Sequence, residues 1–290
     1  MFRNFRLYRV ESDWPDAEET LSDLLAIEAF KPCGAFQERS LGFESPIENA
    51  GDRFCRRVMA VDLLELRIQS RILPPAAIRE ALVERVQTFK QRTSRDPGRA
   101  EKRELKEEVY AELLPKSLLK SERVRALYLA KDKVLAVGTT SVKHNEGFFD
   151  RLGGCIKGLR VSPIEFRLPA EQFMTRLFNG DGPAEFAVGR ECRMQNPGEG
   201  AASVTWLDMD IGDRTARQML QSGLKIDRLG FTLAGILQGT LDKEWAFRKF
   251  KLEGQEAVDE LEGDDPIARF DAELAIFGGA LMKLINALKQ

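Results

Sequence analysis

Histidine is almost missing from this chain, with His144 the only one in 290 residues. Imidazole is the commonest metal ligand and the usual acid–base group near neutral pH, so its scarcity removes most histidine-based chemistry. His144 itself, in SVKHNEG, has no GxSxG serine elbow and no catalytic cysteine motif to serve, and reads as a surface residue. Cys33, Cys55, Cys155 and Cys192 are widely separated and form no C-x-x-C pair. Without clustered ligands a structural zinc is not expected, and lone cysteines read as small core residues. Cys33, in the turn-like FKPCG, is the one set apart by its surroundings. Phosphate loops are missing too: GDGPAE lacks the third glycine of GxGxxG, and GGCIKG lacks the lysine–serine ending of a Walker sequence. Asp208 with Asp210, and Asp62 with Glu65, lack further ligands at informative spacing and read as alternating surface acids. No apolar run approaches the roughly 20 residues that span a bilayer. The start, MFRNFRLYRVESDW, alternates arginine with apolar residues and has no continuous signal region. The expectation is a cytoplasmic protein without a structural metal or a membrane span, and the scarcity of histidine weakens catalysis without excluding it.

What is present is charge, unevenly placed. The chain is 43% hydrophobic and 31% charged, with a formal net charge of −2, an ordinary globular composition. Residues 1–52 hold 5 Lys/Arg and 11 Asp/Glu, residues 53–133 hold 20 and 12, and residues 134–290 hold 19 and 23. The balances are therefore −6, +8 and −4. A basic middle between acidic ends can guide an anion even when the whole molecule repels it weakly.

Periodicity predicts a strand over 2–10, a helix over 16–29, and a loop from Ser40 to Arg53. Strands near 55–62 and 64–72 come next, then helices over 75–91 and 99–114 joined by Asp96-Pro97-Gly98. Pro75 suits the first turn of its helix. Two tight strands over 125–130 and 133–138 follow, with helices near 142–153 and 169–178 and a strand at 159–167 between them. Strands near 185–194 and 203–210 flank QNPGEGAA, and a helix spans 212–222. Strands over 224–234 and 244–251 lead to an acidic linker at 253–264. Asp265-Pro266 opens a last helix whose Phe270, Leu274, Phe277, Leu281, Leu284 and Leu288 form a seam suited to another helix, with packing inside the molecule favoured over a dimer coil. Strands and helices mix without βαβ alternation, which predicts an α+β fold with largely antiparallel sheets and a protruding helical hairpin. The expected organisation is an N-terminal region 1–74, a helical hairpin with a basic tip 75–121, a region 122–252 with an exposed hairpin near 190–210, and the packing helix 265–290.

The stretch from Arg99 to Arg125 is the most informative. Leu105, Val109 and Leu113 recur every four residues, and Tyr110 with Leu114 widens the stripe. Pro115 cannot continue the helix and stops the apolar face. Lys116, Lys120, Arg123 and Arg125 follow, with only Glu122 to offset them. A helix aimed at a basic turn suits holding a polyanion, and it is also what an ordinary solvated helical hairpin looks like, the reading that pattern alone favours. Both readings stand.

An ordered set of fragments resembles the recombination-associated protein RdgC family. They are FRNFRLYR at the start, FKPCG at 30–34, LGFESP at 41–46, ILPPAAIREAL at 72–82, KRELKEEVYAELLPKS at 102–117 and RFDAELAIFGGALMKLINAL at 269–288. They run in that family's order over almost the whole chain. The resemblance implies a nucleoid-associated protein that encircles double-stranded DNA as a ring-shaped homodimer, with little sequence preference and no catalysis. It also implies that the protein restrains the recombinase RecA by competing for DNA. Arg71, Lys116, Lys120, Arg123 and Arg125 are the candidate phosphate contacts, with Arg67 and Arg79 as weaker ones. Leu118 and Leu119, an apolar doublet on the predicted basic turn, are candidates for the dimer contact. Leu118 stands where family members can place an aromatic residue, which keeps an apolar contact with less area. Asp208, Met209 and Asp210 stand where members can carry basic residues on a DNA-contacting finger. The competing class is a dimeric protein-interaction scaffold of the same fold with weakened DNA binding, and salt titration of DNA binding separates the two. A third class, an enzyme, has no positive sequence support.

Overall fold

The computed structural model describes residues 1–47, 53–198, 202–208, 214–253 and 265–289. The fold is α+β, and the chain divides into two compact units. The first unit comprises Met1–Ile27, Ser45–Glu65 and Val124–Gln290, and the second comprises Glu28–Glu44 and Leu66–Arg123.

In the first unit the alternation of FRLYRV makes β1 (Phe5–Val10), which turns Phe5 and Leu7 into the core. Around it lie β6 (Val134–Val137), β7 (Val161–Pro163), β8 (Phe186–Gln195), β9 (Ser203–Leu207), β10 (Lys225–Leu233), β11 (Leu237–Asp242) and β12 (Ala246–Leu252). Antiparallel pairing runs β6-β1-β12-β11-β10-β8-β9, with β7 also on β1. Helices α1 (Glu18–Ala26), α4 (Val142–Cys155), α5 (Ala170–Asn179), α6 (Arg214–Gln221) and α7 (Pro266–Lys289) belong to this unit. On α7, Leu274, Phe277, Leu281, Leu284 and Leu288 are buried in the core, so the seam packs within the molecule. Gly278 faces β4 (Val61–Ile72), where an added Cβ would lie 2.8 Å from Val61 Cγ2. That close approach offsets the helix penalty of glycine at this position.

Strand β4 and its neighbour β5 (Leu118–Leu129) are twelve residues each and contribute to both units. Strand β3 (Cys55–Val58) pairs with the start of β4 through Arg57↔Asp62 and Cys55↔Leu64. The predicted break within 55–72 thus falls at Met59-Ala60, earlier than expected. Met59 takes φ +55° there, a turn conformation that its residue type does not advertise.

The second unit contains β2 (Arg39–Glu44), the outer parts of β4 and β5, and a hairpin of α2 (Pro75–Thr93) and α3 (Arg99–Leu113). Pro75 opens α2 and Ser94 closes it at φ +55°. No residue of α2 is fully buried, whereas Val109 of α3 and Leu114 beyond it are. The hairpin turn is tied by Arg95 and the Gly98 N–H, both donating to the Glu101 carboxylate at 2.6 and 2.8 Å. Those two donors, the Arg95 guanidinium first, hold the Glu101 carboxyl down at about 2. After a single 3-10 turn at Leu114–Lys116 the chain enters β5, so residues 118–125 are strand where a basic turn was expected. Strand β2 replaces part of the predicted loop. Its Gly42 is needed because an added Cβ would sit 2.3 Å from Phe30 Cα.

All four cysteines are free and buried, as their scatter implied. Burial pushes the Cys192 thiol up to about 12, which leaves it unreactive. His144 is partly exposed near the start of α4. Asp62 and Glu65 correct the surface-acid reading, being only 2% and 3% exposed. Each is matched to an arginine, Arg57 at 2.5 Å and Arg125 at 2.5 Å respectively. Among the described residues no helix is long and apolar enough to cross a membrane.

Candidate nucleic-acid interface

Alternation along β4 and β5 decides which side chains of the second unit share a face. Arg67, Gln69 and Arg71 of β4 lie on one side, with Ser121 of β5 hydrogen-bonded to Arg67 and Gln69, and Arg123 of β5 linked to Arg67 through Glu44. Glu44, at the end of β2, is bound by both Arg123 at 2.7 Å and Arg67 at 3.4 Å. Ser121 Oγ accepts from Arg67 and from Gln69 Nε2, each at 3.2 Å. Gln69 in turn accepts the Cys33 backbone N–H at 2.8 Å. The Arg67 guanidinium also lies over the Phe30 ring, 4.6 Å from its centroid. This polar sheet face has three guanidiniums and one carboxylate, with the arginine planes held by neighbours. Fixed guanidiniums suit phosphate oxygens, because little side-chain freedom is lost on binding.

The candidate residues differ in what they have left to offer. Arg123 is half exposed, and its ion pair to Glu44 lies at the surface. Lys116 reaches Glu112 at 3.1 Å, and Lys120 reaches Glu122 at 3.0 Å, both as exposed pairs. Such pairs are worth little in water and exchange readily for another anion. Lys116 foremost, then Arg85, keeps the Glu112 carboxyl below the usual carboxylate range. Arg79 is exposed on α2.

Arg71 is engaged otherwise. Its guanidinium donates to the backbone carbonyls of Gly34, Leu114, Pro115 and Ser117 at 3.1–3.3 Å. It clamps the FKPCG loop to the chain leaving α3, which explains why a basic residue stands between those two segments. Replacing Arg71 by glutamine should destabilise the second unit by about 1.5–3 kcal/mol, the range for hydrogen bonds to a charged group. Limited proteolysis near residues 34–38 and 114–117 reads this out, and an unchanged cleavage rate would refute the clamp.

Arg125 belongs to the first unit. It is bound to the buried carboxylate of Glu65 and lies 5.9 Å from the Phe270 ring centroid. Leu118 and Leu119 are 76% and 45% exposed at the start of β5. As neighbours on a strand they point to opposite faces, so they do not form one patch as they would on a turn. Asp208 is paired with Arg190 at 2.7 Å, while Met209 and Asp210 lie outside the described residues. Sequence reasoning missed Glu44, Gln69, Ser121 and Phe30. Only the apolar–polar alternation of SLGFE hinted that Glu44 ends a strand.

Among the described residues no group of three or more His, Cys, Asp or Glu is placed to hold a metal ion. The class so defined is an α+β protein that presents a strand-borne arginine face beside a charged helical hairpin. A family model described as "Putative exonuclease, RdgC" matches residues 1–290, and the chain belongs to that family. The Recombination-associated protein RdgC of Shewanella oneidensis is 28% identical, over 99% of this chain and 95% of that protein. The protein of the same name from Shewanella piezotolerans is 26% identical, over 99% of this chain and 96% of its own.

Proposed function

We propose that this recombination-associated protein binds double-stranded DNA through phosphates, without reading bases, and that it does so as a homodimer closed around the duplex. The observation that carries the reading is the distribution of charge. The second unit holds 16 basic and 12 acidic side chains, +4, while the first holds 28 and 34, −6. The excess of cations thus falls in the unit that bears the arginine face and the exposed Lys116 and Lys120. Phosphate contacts supply affinity independent of sequence, so neither a zinc finger nor a groove-reading helix is required. By occupying duplex, the protein competes with RecA and modulates recombination, and its place in the cell is the nucleoid. Catalysis has no part in this reading.

Gel shifts with unrelated duplexes at two salt concentrations test it. Affinity should fall steeply with salt and vary little among sequences. Salt-insensitive binding would favour the protein-interaction scaffold, and release of nucleotides from linear DNA would replace both with an exonuclease.

Leu118, the more exposed of the pair at 76%, serves ring closure in this reading, since a large apolar side chain exposed at a strand end gains by meeting a partner, while Leu119 lies on the other face. Burial is worth about 1.5–3 kcal/mol for each leucine, and a two-fold contact uses it twice. A ring has two contacts, so Leu118→Asp should lower retention on closed circular DNA more than it lowers dimer content in sedimentation. A folded variant retained like the parent would place the gate elsewhere.

A further inference from the structure

A cleft of about 430 Å³ in the first unit shares no residue with the arginine face and has the make-up of a small-ligand site. Its wall is aromatic: the Trp245 ring packs 4.5 Å from Phe166 and 5.7 Å from Phe173, centroid to centroid. Its rim carries Arg167, Arg176 and Asp181, and the apolar floor is completed by the end of α7. Arg176 and Asp181 have no ion-pair partner among the described residues.

The wall is held in place before any ligand arrives. Trp245 occupies the turn between β11 and β12 at φ +55°, which is rare and costly for a bulky aromatic residue. Asp242 imposes that turn. Its Oδ1 accepts the N–H groups of Glu244 and Ala246, each at 3.0 Å, and its carbonyl oxygen accepts the Trp245 N–H at 3.1 Å. The rim is equally built. Gly182 brings the loop after α5 so close that an added Cβ would lie 2.9 Å from Leu177 Cδ1.

We infer that this cleft binds a nucleoside monophosphate, either free or as the 5′-phosphorylated end of a strand. A planar base has a π-face for the Trp245 and Phe166 wall. The phosphate suits the guanidiniums at the rim, which bind it with charge-assisted hydrogen bonds. Asp181 selects among anionic aromatics. A simple aromatic carboxylate would meet only repulsion there, whereas the ribose hydroxyls and exocyclic amine of a nucleotide offer it donors.

Isothermal titration of the full chain with adenosine 5′-monophosphate, adenosine and inorganic phosphate tests the assignment. The nucleotide should saturate a single site, and the nucleoside and phosphate should each bind at least about tenfold more weakly, because each makes half of the contacts. Arg176→Gln, an exposed helical substitution, should weaken nucleotide binding about tenfold while leaving duplex binding unchanged, and Arg176→Lys should recover part of the loss. A 5′-phosphorylated dinucleotide that displaces the nucleotide, where its unphosphorylated counterpart does not, assigns the strand end. Failure of both dinucleotides to displace it assigns the free nucleotide. The absence of saturable nucleotide binding, adenosine binding as tight as the nucleotide, or an undiminished affinity in a folded Arg176→Gln protein would each overturn the site. None of these outcomes bears on the proposed duplex binding, whose cations lie in the other unit.

Discussion

Reversing Lys116 and Lys120 together to glutamate should weaken duplex binding about tenfold or more near 0.1 M salt, by nearly the same factor for unrelated sequences. Each lysine that neutralises a phosphate contributes about one unit to the slope of log affinity against log salt. The double variant should therefore show a slope shallower by about 2. Their present partners, Glu112 and Glu122, are exposed and hold the ammonium groups only weakly. Exchange of carboxylate for phosphate consequently costs little. The fold should survive, since a like-charge pair at i,i+4 on a helix costs only about 0.2–0.5 kcal/mol. A double variant with unchanged melting behaviour and unchanged DNA affinity would move the binding face away from these residues.

Removing Arg125 should act on the fold far more than on DNA. Its partner Glu65 has a side chain only 4% exposed, and the two meet at 2.5 Å. Arg125→Ala would take one cation away from a buried carboxylate, a lesion that costs about 3–5 kcal/mol where both partners are well buried. The guanidinium here is about one-third exposed, so the lower end of that range is expected. The same substitution placed in a Glu65→Gln background should cost much less, because no charge–charge attraction is then lost. Urea unfolding of the four proteins in this cycle gives the coupling directly. If Arg125→Ala loses equal stability in both backgrounds, its contribution is packing against Phe270 rather than charge.

These two expectations separate cations that looked alike in the sequence. Lys116, Lys120, Arg123 and Arg125 are close neighbours in a chain whose periodicity also announced α3, its stop at Pro115 and the seam of α7. Helical signals of that kind are local, repeating every three or four residues over fifteen or more positions. Strand β2 was hard to read, because six residues with a glycine at the fourth place look like a loop. Its existence depends on a close approach of Gly42 to Phe30, twelve positions away in the chain. Strand β5 was shortened for a related reason: its first half, Leu118-Leu119 followed by four polar residues, is largely exposed and carries no alternation to read.

The sequence by itself determined the α+β class, the burial of the cysteines, the helical hairpin, the intramolecular seam of the last helix, the concentration of cations in the middle of the chain, and, through its ordered fragments, the family. The tertiary structure alone decided what each charge does. Arg71 closes a loop against four carbonyls, Arg57 and Arg125 neutralise buried acids, Arg67 and Arg123 share Glu44, and Lys116 and Lys120 stay at the surface with exchangeable partners. The physical reason is that the role of a charge is set by its solvation and by the groups within hydrogen-bond reach. Those groups are brought from segments up to 79 residues away, as between Glu44 and Arg123. No spacing rule along a single chain carries that information.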